Sequence, residues 1–139
     1  MTGRCAVWLD HSRASIVTFT SDGEAAVETI KSGIEGLHKT TGGARAKAPY
    51  LHGAVSKSTE EEKRHHQLAR FYDSIIDKII ASRRILIIGP GLAKQELHKR
   101  IEALPGQTKP KLEVQTADKM TERQLIARVR KGFGIEPPL

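Results

Sequence analysis

The chain has 139 residues, one cysteine and a formal net charge of +7 at pH 7, from 23 Lys and Arg against 16 Asp and Glu. This length suits one domain with its own hydrophobic core, over residues 1–139. The lone Cys5 excludes an internal disulfide, so we expect a cytoplasmic protein. No apolar run approaches the roughly 20 residues of a membrane-spanning helix and no signal peptide is recognisable, so we expect no membrane partner.

The positive charge is unevenly distributed. Residues 1–30 hold two basic and four acidic side chains, a net charge of −2, so the excess lies beyond Ile30. One basic block covers residues 31–57 and the other lies in the last helical pattern. Such blocks attract phosphate polymers and bind them in a salt-dependent way, although scattered lysines on a solvated surface would give the same composition.

The first part of the chain alternates between apolar and polar residues and breaks at two polar turns. This pattern predicts three short strands in an antiparallel meander. The three strands are predicted at Cys5–Leu9, Ala14–Thr20 and Glu24–Ile30.

A buried central strand is predicted at Arg84–Ile88, because four consecutive aliphatic residues end abruptly at Gly89-Pro90-Gly91. Helical patterns flank it, and a last strand and helix follow. We therefore expect an α/β fold with a mixed five-stranded sheet, formed by the meander plus two strands in β-α units, and three main helices. Two helices are predicted, at Ser58–Ser82 and Leu92–Leu104. The first opens with a Ser58/Glu61 capping box, and the second is expected to expose Lys94. A strand at Leu112–Thr116 and a last helix capped by Thr121 complete the pattern.

Residues 33–57 show no periodicity and are predicted to form a long flexible loop. Gly42 and Gly43 allow the backbone to approach a partner closely, and the cations nearby suit phosphate groups. A loop of this length is typically functional or merely flexible, and the sequence leaves both possibilities open. The cations of this segment that we expect to bind RNA are Lys39, Arg45, Lys47 and Lys57.

The order of elements, the Ile85–Gly91 run followed by Lys94, and the Gly42-Gly43 segment before a long helix together resemble a known family. This is the middle domain of eukaryotic and archaeal peptide-chain release factors and of Pelota-type rescue factors. Small stand-alone bacterial proteins of the same translational-machinery-component superfamily are similar too. The resemblance covers nearly the whole chain and implies a ribonuclease-H-like topology and a ribosomal partner, with rRNA or tRNA as the ligand and no cofactor.

In release factors the loop carries Gly-Gly-Gln, which helps water attack the ester between peptide and tRNA. Here Gly42 and Gly43 match the glycines, and Ala44 stands at the glutamine position. The Ala44 backbone N–H could still stabilise an oxyanion, but the positioning amide is lost. We therefore expect no efficient peptide release, and a ribosome- or RNA-associated binding protein instead. The terminal cations expected to contact RNA are Lys119, Arg123, Arg130 and Lys131.

Three alternatives remain open at this point. The first is hydrolysis of peptidyl-tRNA despite Ala44. The second is a metal-dependent ribonuclease-H-like nuclease, for which Asp10 and Asp118 are the two candidate ligands. Two-metal chemistry needs three or four carboxylates, so we expect no metal site. The third is an adaptor that forms homo-oligomers through an open sheet edge.

Overall fold

The computed structural model describes residues 3–34, 49–106 and 109–136, and only the backbone of 49–59. The elements, in chain order, are β1 (Arg4–Leu9), β2 (Arg13–Phe19), β3 (Ala25–Lys31), α1 (Pro49–Ile79), β4 (Arg84–Gly89), α2 (Ala93–Glu102), β5 (Lys111–Thr116) and α3 (Glu122–Phe133).

The five strands form one sheet of order β3-β2-β1-β4-β5. The pairs β1–β2 and β2–β3 are antiparallel, whereas β1–β4 and β4–β5 are parallel. The predicted mixed five-stranded sheet and its three helices are confirmed.

Helices cover both faces of the sheet, and alternate residues of the central strands point to opposite faces. On one face, here named the two-helix face, odd-numbered residues of β1 and β4 pack under α1 and α2. On the other, named the one-helix face, the even-numbered residues pack under α3. The strand residues concerned are Cys5, Val7, Leu9, Ile85 and Ile87 for the two-helix face, and Ala6, Trp8, Leu86 and Ile88 for the one-helix face.

Strand β4 is buried on both faces, as its aliphatic run predicts. Its last residue must be glycine, because a Cβ built on Gly89 would lie 2.2 Å from the backbone oxygen of Leu9 in β1. The carbonyl of Gly89 in turn accepts a hydrogen bond from the Ala117 N–H, at 3.0 Å, just after β5. Gly89 therefore lets three strand ends meet closely.

The predicted start of the long helix is wrong: α1 begins at Pro49, not Ser58. Proline suits the first turn of a helix, since its missing N–H would have no partner there. The Ser58/Glu61 pattern therefore lies inside the helix. A capping box favours a helix start at its own position, but it does not stop the helix from beginning earlier when the preceding residues are also helical. The predicted 33–57 loop is therefore helical from Pro49 onward, and its residues 35–48 lie outside the described part of the chain.

The side chains of α1 are described from Glu60 onward, and those that pack on the sheet lie in its second half. From Glu60 to His66 every side chain is exposed, and contact with the core begins at Leu68 and continues through Phe71 to Ile79. A helix of 31 residues is about 46 Å long, and the portion before Gln67 accounts for about 27 Å of that length. Helix α1 therefore projects well past the sheet. No helix within the described ranges has a stretch long and apolar enough to span a bilayer.

The two shorter helices differ in how their ends are stabilised. Helix α3 begins with the predicted capping box, in which the Thr121 side chain accepts from the Gln124 N–H and the Gln124 side chain accepts from the Thr121 N–H. Helix α2 has no such side-chain cap. The predicted exposure of Lys94 is wrong: its side chain is buried, and its ammonium donates to the Gly91 carbonyl at the turn after β4. Lys94 thus ties the Gly-Pro-Gly turn to the helix that follows.

Candidate nucleic-acid interface

Four strands, β1, β3, β4 and β5, run in the same direction, so they end at a single edge, here named the carboxyl edge. There the exit of β3 is joined to the β1–β2 turn. The Ser32 N–H donates to the Ser12 carbonyl at 2.8 Å, and the Ser32 hydroxyl donates to the His11 carbonyl at 2.7 Å. Helix α1 projects past this edge. The segment with Gly42 and Gly43 therefore connects the carboxyl edge to the projecting end of α1.

The predicted site residues of that segment lie outside the described residues. This applies to the Gly42-Gly43-Ala44 triplet and to Lys39, Arg45 and Lys47. Lys57 lies in α1, where only the backbone is described. Their role in binding RNA stays a prediction.

The terminal cations Lys119, Arg123 and Lys131 are exposed. Arg123 and Lys131 are eight residues apart on α3, which places them on one ridge of the helix about 12 Å apart. Lys119 precedes the N-cap of α3 at the carboxyl edge. None of the three belongs to an ion pair within the described part of the chain. These three cations are therefore exposed on α3 and just before its start.

Arg130, the fourth terminal cation expected to contact RNA, does not project into solvent as the other three do. Its guanidinium turns back to the β2–β3 turn, where it donates to the Gly23 carbonyl at 2.8 Å and to the Glu136 carbonyl at 3.2 Å. It also lies 5.1 Å from the centre of the Phe19 ring, within cation–π range. Arg130 therefore fastens α3 to the antiparallel part of the sheet, which accounts for its position without a ligand.

Two clefts open near the carboxyl edge. The larger, of about 340 Å³, lies between β3 and α1 and includes Lys31, Arg70 and Gln67 among its lining residues. The Gln67 Oε1 atom is buried and has no hydrogen-bond partner among the described residues. The smaller, of about 170 Å³, lies beside α3 and includes Arg13 and Lys119. Its volume is below the range of small-molecule pockets, and Glu122 lines it beside the two cations.

A hydrogen-bonded group on the two-helix face fixes the β1–β2 turn. The Tyr72 hydroxyl donates to Glu96 Oε1, and His11 Nε2 lies 3.1 Å from the same atom. Burial raises the pKa of the Glu96 carboxyl, but the hydrogen bonds from Tyr72 and His11 outweigh it and leave the pKa below its ordinary value. Burial and the bond to Glu96 raise the pKa of Tyr72 well above its usual range. This group has no activated nucleophile, and we assign it a structural role.

The two candidate metal ligands are not part of a carboxylate cluster. Asp10 Oδ1 accepts hydrogen bonds from the backbone N–H groups of Ser12 and Arg13, at 2.8 and 2.9 Å, which is the role of a turn residue. Asp118 is exposed, and its carbonyl accepts from the Trp8 indole at 3.3 Å. Within the described ranges no three His, Cys, Asp or Glu side chains are grouped so as to hold a metal ion. The geometry of these residues gives the nuclease hypothesis no support.

Sequence reasoning missed one group of cations at the opposite end of the sheet. Arg4, Arg84 and Lys111 are the first residues of β1, β4 and β5, and all three are exposed. We name them the strand-start cations. A signal was present, because a basic residue stands at the start of the predicted central strand and immediately before the predicted first and last strands. It became meaningful only when the strand register showed that the three are neighbours.

The comparisons with known proteins give a result at the level of fold. No family model and no curated protein matches the chain. Among solved structures, the Pelota protein of Thermoplasma acidophilum is similar, with a TM-score of 0.51 and 14% identity over 96% of this chain. The archaeal translation termination factor aRF1 is similar as well, with a TM-score of 0.54 and 15% identity over 95% of this chain. The chain spans about a third of the length of each, 34% in both cases, and it shares the fold of that part.

Proposed function

We propose that this protein is a translation-linked, ribosome- or RNA-associated binding protein related to the middle domain of release and rescue factors. The observation that carries the proposal is the fold shared with a termination factor and with Pelota over nearly the entire chain. The net charge of +7 supports the same conclusion.

The geometry of the carboxyl edge is consistent with this function. Helix α1 projects past the edge from which the Gly42-Gly43 segment departs, and Lys119 and Arg123 are exposed nearby. A long helix can hold a basic segment away from the body of the protein, where it can enter a recess in a larger particle. We propose that the segment and these two cations contact the phosphates of rRNA or tRNA.

Sedimentation with ribosomal particles tests the association. We expect the protein to pellet with ribosomes at low salt and to be released steeply as salt rises, since phosphate contacts are replaced by counterions. A variant with Lys119→Gln and Arg123→Gln should dissociate at lower salt than the wild type. A variant with Lys99→Gln and Lys78→Gln has lost the same charge from α2 and from the last turn of α1, and it should behave as the wild type does. Failure of the wild-type protein to pellet at low salt would end the proposal.

Peptide release is a second candidate function, favoured only by the Gly42-Gly43 match in the sequence. Because Ala44 stands where release factors have glutamine, we expect the protein to release no peptide from ribosome-bound peptidyl-tRNA. An Ala44→Gln variant measured in the same assay gives the comparison. Release by the wild-type protein would overturn the binding-only proposal, whereas release by Ala44→Gln alone would support the assignment of this segment.

Self-association through a sheet edge remains an alternative. The exposed residues of β3 include Glu28, which pairs with Lys78 at 2.9 Å, and Lys31. Charged residues on an edge strand disfavour pairing with another copy. We therefore propose a monomer, and light scattering with and without RNA is the measurement that tests it.

A further inference from the structure

The strand-start cations Arg4, Arg84 and Lys111 form a row across three adjacent strands. In the register of the sheet Arg4 is paired with Arg84, and Arg84 with Lys111. Neighbouring strands lie about 4.8 Å apart, so the row spans about 10 Å. All three residues fall on the one-helix face, since they share their alternation with Ala6, Leu86 and Gln115. The amino edge of this face, opposite the carboxyl edge, therefore carries three adjacent positive charges.

A row of this kind is unfavourable for the fold, because like charges directly opposite each other on a sheet repel. None of the ion pairs formed within the described residues involves Arg4, Arg84 or Lys111. Glu113, two residues after Lys111 on the same strand face, accepts a hydrogen bond from the Gln115 side chain. The repulsion within the row is therefore not offset by a neighbouring carboxylate in contact.

Packing against the end of α3 accounts for part of the row but not for all of it. Arg4 donates to the Phe133 carbonyl at 3.1 Å, and the Arg84 guanidinium lies 5.2 Å from the centre of the Phe133 ring. A cation at a helix C-terminus is favourable. Lys111 has no such contact within the described ranges. Its position is explained if the row meets an external anion.

Helix α3 adds one more cation near this edge. Lys131 lies two residues before Phe133, in the last turn of the helix, and is exposed. Arg128 lies nearer the carboxyl edge, because its guanidinium donates to Gln115 Oε1 at 3.2 and 3.3 Å, next to the last residue of β5. Four cations thus lie at the amino edge, beside the end of α3.

We propose that these four residues form a second phosphate-binding surface, which contacts the backbone of structured RNA at the amino edge of the sheet. We name it the amino-edge surface; its members are Arg4, Arg84, Lys111 and Lys131. Its charges follow strands and a helix held by the core, so they form a fixed array, and the deep, narrow major groove of duplex RNA keeps these side chains from the base edges. Such an array recognises phosphate spacing and shape, not sequence. The inference rests on the proposed RNA association and names a surface separate from the carboxyl edge.

Salt-dependent binding to a labelled RNA duplex of about 20 base pairs tests this surface. We expect Lys111→Gln to weaken binding roughly fourfold near 0.15 M salt and to reduce the slope of log K against log salt by about 0.9. Lys99→Gln, which removes an exposed lysine from the opposite face, should leave both values unchanged. The double change Arg4→Gln and Arg84→Gln should reduce the slope by about 1.8. The charge-preserving change Arg4→Lys and Arg84→Lys should retain most of the binding, and circular dichroism checks that each variant is folded.

The outcomes separate this inference from the proposed function. If the wild-type protein binds RNA and Lys111→Gln is indistinguishable from Lys99→Gln, the amino-edge surface is wrong while the RNA association stands. If the wild-type protein binds neither ribosomes nor RNA at low salt, both fail. If Lys111→Gln weakens binding to phosphatidylserine vesicles but not to RNA, the surface recognises a membrane and the inference is overturned. Loss of RNA binding confined to the amino-edge variants supports it.

Discussion

The two faces of the sheet are shielded from solvent in different ways. Among the side chains that the structure describes, 15 buried residues on the two-helix face form one apolar cluster beneath α1 and α2. On the one-helix face, eight buried residues of the same described set lie beneath α3, and arginines pack on aromatic rings at its margins: Arg130 on Phe19 and Arg84 on Phe133. A single 12-residue helix cannot cover five strands, so long amphipathic side chains complete the coverage.

This difference determines how each face responds to change. A face closed by apolar packing can change only at a cost in stability, whereas a face closed by cations already presents charge to solvent. Four experiments would break or sharpen this comparison, and they follow from the largest expected effect to the smallest.

The comparison requires a sheet that stays intact between the two faces, and Gly89→Ala tests this directly. The new Cβ would overlap the Leu9 backbone oxygen, so β1 and β4 would have to separate. We expect a loss of more than about 3 kcal/mol in the free energy of unfolding, measured by urea denaturation. Gly91→Ala is the control, because its Cβ would meet nothing within 4 Å. Equal stability of the two variants would contradict the close contact between Gly89 and the Leu9 backbone.

Leu97→Ala and Leu125→Ala compare the two cores with the same change of side chain. Leu97 is fully buried within the two-helix face, whereas Leu125 borders the 170 Å³ cleft. We expect a cost of about 4 kcal/mol for Leu97→Ala and about 2.5 kcal/mol for Leu125→Ala, because solvent can enter the space beside the cleft. Urea denaturation measures both. If Leu125→Ala costs as much as Leu97→Ala, the one-helix face is packed as tightly as the other.

Arg130→Met keeps an apolar stem over Phe19 and removes the charge and the hydrogen bonds to Gly23 and Glu136. We expect a loss of about 1 to 2 kcal/mol. Lys131→Met, at an exposed neighbouring position, should change stability by less than about 0.5 kcal/mol. If Arg130→Met leaves the free energy of unfolding unchanged, the arginine contributes nothing to the packing of this face and becomes a candidate RNA contact again.

Tyr72→Phe tests the polar group of the two-helix face and has the smallest expected effect, about 1 kcal/mol at neutral pH. The hydrogen bond lowers the pKa of Glu96, so its contribution is present above the ordinary glutamate pKa and is lost as pH falls through the folded value. The stability gap between wild type and variant should therefore narrow on acidification, and an NMR titration should show a raised Glu96 pKa in the variant. A gap that stays constant down to pH of about 3 would contradict this assignment.

The sequence predicted most of the architecture because the strongest signals were local. The aliphatic run before Gly89 identified the central strand, and the Thr121 capping box identified the start of α3. The start of α1 was missed because a capping box is a competing local structure, and its signal does not say whether the helix continues on its N-terminal side.

The side chains of the candidate site were less predictable. Helical periodicity distinguishes buried from exposed positions, but it does not show that Lys94 bends back to the Gly91 carbonyl or that Arg130 reaches the β2–β3 turn. Both depend on contacts with other elements. The strand-start cations were missed for a similar reason, since their adjacency follows from the pairing of strands far apart in sequence.

Helix α1 is fixed to the sheet from Leu68 to Ile79, and the side chains before it, from Glu60 to His66, are exposed. From Gln67 the helix backbone continues for about 27 Å to Pro49. A tilt of roughly 10° at Gln67 would carry the tip through roughly 5 Å, about the length of one helical turn. Small rearrangements at Phe71 and Tyr72 would thus be magnified at Pro49, where the glycine-containing segment joins the helix.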